Sequence, residues 1–402
     1  MTDHEPIDGG ILAAAGFRSA AVKCGLKADA LDLALLVSDA PASVAAVFTT
    51  NKAVAAPVIV CRDHLARSGG IGRAIAVNSG CANACTGQTG MAAAHEMATI
   101  TARTVGCPLE HALIASTGVI GLHLDVDKVA RGLERAVWML GRDASRAAAE
   151  AIMTTDLSPK EAALRVRSSA GVFAVGGMVK GAGMLEPMMA TMLGFLTTDA
   201  AIAPGLLQRA LAEVTDDTFN AITVDGECST NDSVFLMASG ASGVTIDDDL
   251  YPHFVAGLRE VCGTLARDIV RGGEGATKLV SVNVSGARTQ DEAKRAAHAI
   301  ANSPLVKTAL HGGDPNWGRL VAVAGRAGVD FDLSRSRVQI GTTVLFENDT
   351  VHADREPQAA EHLKGKEVSV GVDLGVGGPG EATVWTCDLS SEYVHLNADY
   401  RS

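Results

Sequence analysis

Gly176-Gly177-Met178-Val179-Lys180-Gly181-Ala182-Gly183-Met184-Leu185-Glu186-Pro187-Met188-Met189-Ala190-Thr191-Met192-Leu193-Gly194-Phe195-Leu196-Thr197-Thr198-Asp199 is the most informative stretch of this 402-residue chain. Four glycines within eight residues (176, 177, 181 and 183) permit backbone shapes and close approaches that side chains would block. Among apolar and tiny neighbours, Lys180 is a lone cation, and such a position calls for an anion. Further on, Thr191 is the one hydroxyl in the apolar run 188–196, directly after the small Ala190. By pattern alone such a threonine is a packed core residue bonded to nearby backbone.

Outward from this stretch, strand-like and helix-like segments alternate. Residues 72–78 and 279–285 read as strands, the second with a clear period of two. Residues 125–141, 204–214 and 251–271 place apolar side chains at helical spacing, with Asp or Pro near their starts, and 289–302 reads as a further helix. The chain is therefore mixed α/β or α+β. No low-complexity linker, charge block or internal repeat divides it, so pattern alone sets no domain boundary.

Composition excludes several classes. With 47% hydrophobic and 20% charged residues the chain can bury a sizeable core, which rules out wholesale disorder. Lys and Arg number 34 against 46 Asp and Glu, a net charge of −12, and aromatic residues are few; nucleic-acid binding needs the opposite balance. The start, Met1-Thr2-Asp3-His4-Glu5-Pro6, lacks the basic and apolar regions of a signal peptide, and no apolar run reaches membrane-spanning length. A cytoplasmic protein with neither nucleic-acid nor membrane partners is expected. Eight dispersed cysteines, with Cys81 and Cys85 too far apart for a metal or redox pair, read as free thiols.

Familiar motifs fail on context. Gly375-Val376-Gly377-Gly378-Pro379-Gly380 has dinucleotide-loop spacing, but a strand precedes it (367–373) and a second strand follows (382–388), where the pyrophosphate would need a helix. A hairpin or tight turn is the better reading. His95-Glu96 starts a metalloprotease pattern whose second histidine is replaced by Thr99, so no metal site is expected there.

The signature Lys180-Gly181-Ala182-Gly183-Met184, with Pro187 and Met189-Ala190-Thr191-Met192-Leu193, resembles that of the ornithine acetyltransferase (glutamate N-acetyltransferase) family of arginine biosynthesis. The resemblance runs in order through Phe48-Thr49-Thr50-Asn51, Val77-Asn78-Ser79-Gly80, Ala115-Ser116-Thr117-Gly118-Val119-Ile120-Gly121, Thr154-Thr155-Asp156, Gly273-Glu274-Gly275-Ala276-Thr277-Lys278, Asp314-Pro315-Asn316-Trp317-Gly318-Arg319 and Asn397-Ala398-Asp399-Tyr400, and so covers essentially the whole chain. It implies a layered α/β sandwich of the N-terminal-nucleophile type with a smaller C-terminal α/β subdomain. It also implies self-cleavage between Ala190 and Thr191, giving an alpha chain (1–190) and a beta chain (191–402) intertwined in one body, as a heterotetramer of two of each.

The chemistry implied is intelligible. The Thr191 hydroxyl attacks the Ala190 carbonyl, water hydrolyses the resulting ester, and Thr191 becomes a chain start whose own α-amine can serve as its base. By resemblance Thr117 and the backbone N–H of Gly118 supply the oxyanion donors; alone, Thr-Gly reads as an ordinary turn. Substrate contacts map to Thr154, Lys180, Thr191, Glu274, Asn397 and Ser402. The implied reaction is ping-pong acetyl transfer from N2-acetylornithine to L-glutamate, with ornithine leaving and no bound cofactor. Acetyl-CoA as a second donor stays open, because the family includes members of both kinds and no adenine or pyrophosphate signature decides. Two other readings also stay open, an amidase or aminopeptidase with water as acceptor and a silent amino-acid-binding protein. The chain departs from the family pattern at Cys81, Met188, Glu227 and Cys228, none of which is a mapped catalytic group.

Overall fold

Small and β-branched residues between turn signals fold into the strands of two sheets, and the computed structural model describes residues 3–186 and 192–399. The larger of two sheets takes β1 (Asp3–Pro6), β2 (Phe17–Val22), β3 (Leu33–Phe48), β4 (Ile71–Cys81), β5 (Ala112–Val119), β6 (Lys160–Ser168), β7 (Gly171–Lys180), β8 (Leu193–Thr198) and β9 (Ser233–Ala238). Their order is β1-β6-β7-β8-β9-β3-β4-β5, with β2 paired on β3. Strand β3 makes this order workable. Its register on β4 shifts between Val37 and Ala42, so residues 33–38 pair with β2 while residues 43–48 pair with β9. The turn in the strand falls at the exposed Asp39, Ala40 and Pro41, the last of which has no N–H to leave unpaired.

The bend brings the two parts of the sheet together. Ala174, Met178, Phe195, Phe235 and Met237 from β7–β9 share one apolar cluster with Leu35, Ile75 and Leu113 from β3–β5, and the rings of Phe195 and Phe235 stack at 5.8 Å. Helices α1 (Ala56–Ser68), α2 (Gly87–Val105), α3 (Val126–Trp138) and α4 (Ser145–Ala151) contribute to that cluster. On the outer face of β6–β9, α5 (Pro204–Asp217) and α6 (Tyr251–Arg271) bury Leu207, Leu211, Phe254, Leu258 and Leu265 against Leu164, Val175, Leu196 and Leu236. The result is the expected layering of helices and sheets, driven by apolar burial at helical spacing on one side and strand spacing on the other. Asp125 caps α3 by accepting from Lys128 N at 3.1 Å.

The smaller C-terminal subdomain holds β10 (Leu279–Ala287), β11 (Arg337–Ile340), β12 (Thr343–Glu347), β13 (Thr350–Val351), β14 (Glu367–Asp373) and β15 (Gly380–Cys387) in the order β13-β12-β11-β14-β10-β15. Its helices are α7 (Gln290–Ala301), α8 (Pro304–Gly312), α9 (Trp317–Gly325) and α10 (Glu356–His362), and α11 (Ser391–Asp399) follows the last strand. The glycine loop 375–380 joins two strands as expected, but it forms no hairpin. Strand β14 runs parallel to β10 and β15 antiparallel to it, one on each side, so the loop arches over the end of β10. Glycine is needed there: Gly375 has φ +73, and a Cβ on Gly378 would lie 2.1 Å from the Ala287 carbonyl oxygen.

All eight cysteines are free thiols. Among the described residues, no helix is long and apolar enough to cross a membrane. Strands β8 and β9, from the second half of the chain, lie between β7 and β3 from the first half, so the residues before and after 187–191 form one sheet.

Candidate active site

Strand β5 ends in Thr117 and Gly118, where the chain approaches β4 closely. Gly118 has φ +128, and a Cβ there would fall 2.4 Å from the carbonyl carbon of Gly80, so only glycine fits. Beneath this corner lies a buried amide and hydroxyl network. Ser116 Oγ donates to Asn78 Oδ1 at 2.6 Å, Asn78 Nδ2 to the Cys81 carbonyl at 2.9 Å, and Asn231 Nδ2 to the carbonyls of Ala82 and Ser116 at 2.6 and 2.9 Å. Satisfied networks of this kind are rigid, and this one holds the Thr117-Gly118 backbone in place.

Lys180, the last residue of β7, reaches the same corner. Its Nζ donates to Thr154 Oγ1 at 2.8 Å and to Thr117 Oγ1 at 3.2 Å. It is less isolated than its sequence neighbours suggested. Asp156, whose side chain is fully buried, accepts from Lys160 Nζ at 2.6 Å and from the Gly181 N–H at 2.8 Å. Burial raises the Asp156 carboxyl, but the positive charges of Lys180 and Lys160 and the Gly181 hydrogen bond outweigh it and bring the pKa down to about 2. Burial likewise pushes the Lys180 ammonium below the ordinary lysine value, opposed by Asp156, Asp232 and Glu274.

Glu274 enters from the loop between α6 and β10. Its carboxylate accepts from Asn397 Nδ2 at 2.8 Å, and its N–H donates to the Ala182 carbonyl at 2.8 Å. It lies against Gly183, where a Cβ would be 2.3 Å from Glu274 Oε2. The loop is anchored by the buried Asp388, which accepts from Thr277 N and Lys278 N at 2.8 and 2.9 Å and pairs with His311 Nδ1 at 2.7 Å. Ser390 Oγ donates to the Gly275 carbonyl at 2.6 Å, tying α11 and its Asn397 to the same loop.

Thr117, Gly118, Thr154, Lys180, Glu274 and Asn397 thus line one cavity of about 100 Å³, together with Met184, Met192, Asn231 and Asp232. Ala190, Thr191 and Ser402 lie outside the described residues, as does Met188. The described chain leading to and from Thr191 is firmly held. Asp225 accepts from the N–H groups of Met184 and Leu185, both at 2.7 Å, and Tyr393 Oη donates to it at 3.3 Å. On the far side the Ser233 N–H donates to the Met192 carbonyl at 3.1 Å. Asp156, Asp225 and Asn231 went unselected as site residues. The last two belong to the polar run Asp225-Gly226-Glu227-Cys228-Ser229-Thr230-Asn231-Asp232, whose density of hydrogen-bonding side chains is the signal that could have found them. The departures at Cys81 and Cys228 are absorbed locally, Cys81 Sγ donating to the Leu122 carbonyl at 3.4 Å. A larger groove of about 560 Å³ lies between α5, α7 and the open face of the second sheet, and none of the expected site residues lines it. Among the described residues no cluster could hold a metal ion.

The ArgJ family model matches residues 18–402. The arginine biosynthesis bifunctional protein ArgJ of Dehalococcoides mccartyi is 46% identical over 400 residues, covering 98% of this chain and 97% of that protein. The protein of the same name from Gloeobacter violaceus is 45% identical over 408 residues and all of both chains. A crystal structure of arginine biosynthesis bifunctional protein argJ from Bacillus halodurans superposes with a TM-score of 0.51 at 42% identity, and the match covers 52% of this chain and the whole of the solved one.

Proposed function

The chain belongs to the ArgJ family and is an acyltransferase of arginine biosynthesis, and from that premise we propose that it carries an acetyl group from N2-acetyl-L-ornithine to L-glutamate on the hydroxyl of Thr191. The observation that carries this reading is the single cavity in which the Thr117-Gly118 corner, the cation of Lys180 and the carboxylate of Glu274 meet. Acyl transfer needs oxyanion donors, and an amino-acid substrate needs partners of both signs.

Thr191 is first exposed by scission of its own peptide bond. Its Oγ attacks the Ala190 carbonyl carbon, the amide nitrogen takes the hydroxyl proton, and water hydrolyses the ester to leave Ala190 with a carboxylate and Thr191 with a free amine. That amine, with a reference pKa of about 7.7–8.0, then takes the hydroxyl proton as Oγ attacks the acetyl carbonyl. The oxyanion is met by the Thr117 hydroxyl and the Gly118 N–H. Breaking the C–N bond returns the proton to the α-nitrogen of ornithine, which leaves. The α-amine of glutamate attacks the ester carbonyl, its proton passes by way of the Thr191 amine to Oγ as the acyl C–Oγ bond breaks, and N-acetylglutamate departs from a regenerated Thr191. Glu274 and Asn397 receive the side-chain ammonium of ornithine, and Lys180 faces the substrate carboxylate with the help of Thr154 and Ser402.

Residues 191–402 are just over half of the chain, the share that the solved Bacillus halodurans chain spans, which supports scission at this point. The fragments 1–190 and 191–402 stay together through the shared sheet, two of each forming a heterotetramer in the cytoplasm. No cofactor is bound, and acetyl-CoA enters, if at all, as a second acetyl donor. Incubation with N2-acetylornithine tests the reading. Mass spectrometry should find two fragments, with one acetyl group on the fragment starting at Thr191, discharged by glutamate. Acetyl release at the same rate without glutamate would make the protein a hydrolase instead.

A further inference from the structure

The contacts of Lys180 carry a second role that needs no substrate. An ammonium offers donors and no acceptor, so Thr117 Oγ1 and Thr154 Oγ1 both accept from Lys180 Nζ, at 3.2 and 2.8 Å. A hydroxyl that accepts on that side must send its own proton elsewhere. Among the described residues no acceptor takes the proton of either threonine, and both side chains line the cavity. Among the described residues two of the three Nζ donors are engaged in this way, and the third is available to a substrate carboxylate.

We infer that Lys180 is a positioning residue for the oxyanion donor: by occupying a lone pair of Thr117 Oγ1 it bars that hydroxyl's proton from the lysine side and leaves it to the cavity, both for self-cleavage and for acetyl transfer. The inference rests on Thr117 being the oxyanion donor. It separates Lys180 from a residue that only binds substrate, because scission of the Ala190–Thr191 bond involves no substrate carboxylate. Thr154, mounted by its N–H on Asp156 Oδ2 at 3.2 Å, is oriented in the same way.

The experiment is a double-mutant cycle on the full chain, with Lys180→Met and Thr117→Ala measured singly and together for fragment appearance and for acetylation by N2-acetylornithine. Lys180→Met should slow both reactions on the order of 10²–10³-fold, the effect of losing one oxyanion donor. In the Thr117→Ala background it should slow scission by less than about twofold more, since the hydroxyl it orients is already gone. Lys180→Arg gives an independent arm. In the wild type a neutral Lys180 can accept the Thr117 proton, so scission should fall at alkaline pH; arginine keeps its donors and should abolish that fall. The charged groups facing Lys180 are Asp156, Lys160, Lys27, Asp232 and Glu274, and Lys180→Arg leaves all of them in place. Wild-type scission in Lys180→Met with a raised KM, full additivity in the cycle, or an unchanged alkaline limb in Lys180→Arg would each overturn the inference. Wild-type scission in Thr117→Ala would instead overturn the reading of Thr117 beneath it.

Discussion

Substituting Gly183→Ala should weaken ornithine-type substrates while sparing self-cleavage. The added methyl would stand 2.3 Å from Glu274 Oε2 and 2.5 Å from its Cδ, where ordinary contacts begin near 3.4 Å. The backbone of Gly183 is held by its neighbours, since Ala182 O bonds Glu274 N and Asp225 binds Met184 N, so the movable partner is the Glu274 carboxylate. It must retreat by about 1 Å, which breaks its 2.8 Å bond from Asn397 and takes it away from the ammonium it is proposed to receive. Hydrogen bonds to charged groups are worth about 1.5–3 kcal/mol, or roughly 10- to 150-fold in affinity. Steady-state kinetics should therefore show KM for N2-acetylornithine raised by about that factor. KM for glutamate, whose side chain carries no ammonium, should change much less, and the fragments should form at the wild-type rate. An unchanged KM for N2-acetylornithine in a folded, cleaved Gly183→Ala protein would refute the placement of Glu274 opposite the substrate ammonium.

Thr191→Ala should remain a single chain on a denaturing gel and form no acetyl-enzyme, because one hydroxyl performs both attacks; acetylation detected by mass spectrometry would identify another nucleophile. Asp225→Ala removes the acceptor of the Met184 and Leu185 N–H groups and should slow fragment formation, with a loss of about 1–3 kcal/mol in denaturant melts for the donors left unpaired. Asp156, with its folded-state pKa lowered to about 2, contributes stability that is present above the ordinary carboxylate value near 4 and is lost as pH falls towards 2. Acid titrations of melting temperature should show this slope, and Asp156→Asn should flatten it.

Helices such as 251–271 were legible because a helix half sunk in a core leaves a period in the sequence, with Phe254, Leu258, Val261 and Leu265 buried and Glu260 and Arg271 exposed. Strand identity was legible on the same ground, but strand neighbours were not. The spacing around 375–380 reports two strands and a glycine-rich connection; that β10 slips between them depends on residues 279–287, about ninety positions away. The site shows the same limit. Thr117, Thr154, Lys180, Glu274 and Asn397 come from five separate segments, and only the resemblance brought them together. Asp156 looks in sequence like the end of a polar turn, since nothing local reveals that its carboxylate is fully buried between lysines.

The position of β8 and β9 between β7 and β3 would make the proposed self-cleavage a one-way event in the life of the molecule. The intact chain folds as a unimolecular process, with its two halves tethered and at high effective concentration. After scission the same sheet can be rebuilt only by two chains finding each other, each presenting unpaired strand edges until it does. A cleaved enzyme that unfolds should therefore recover poorly and in proportion to its concentration, and its working lifetime is set by the rate of unfolding rather than by an equilibrium.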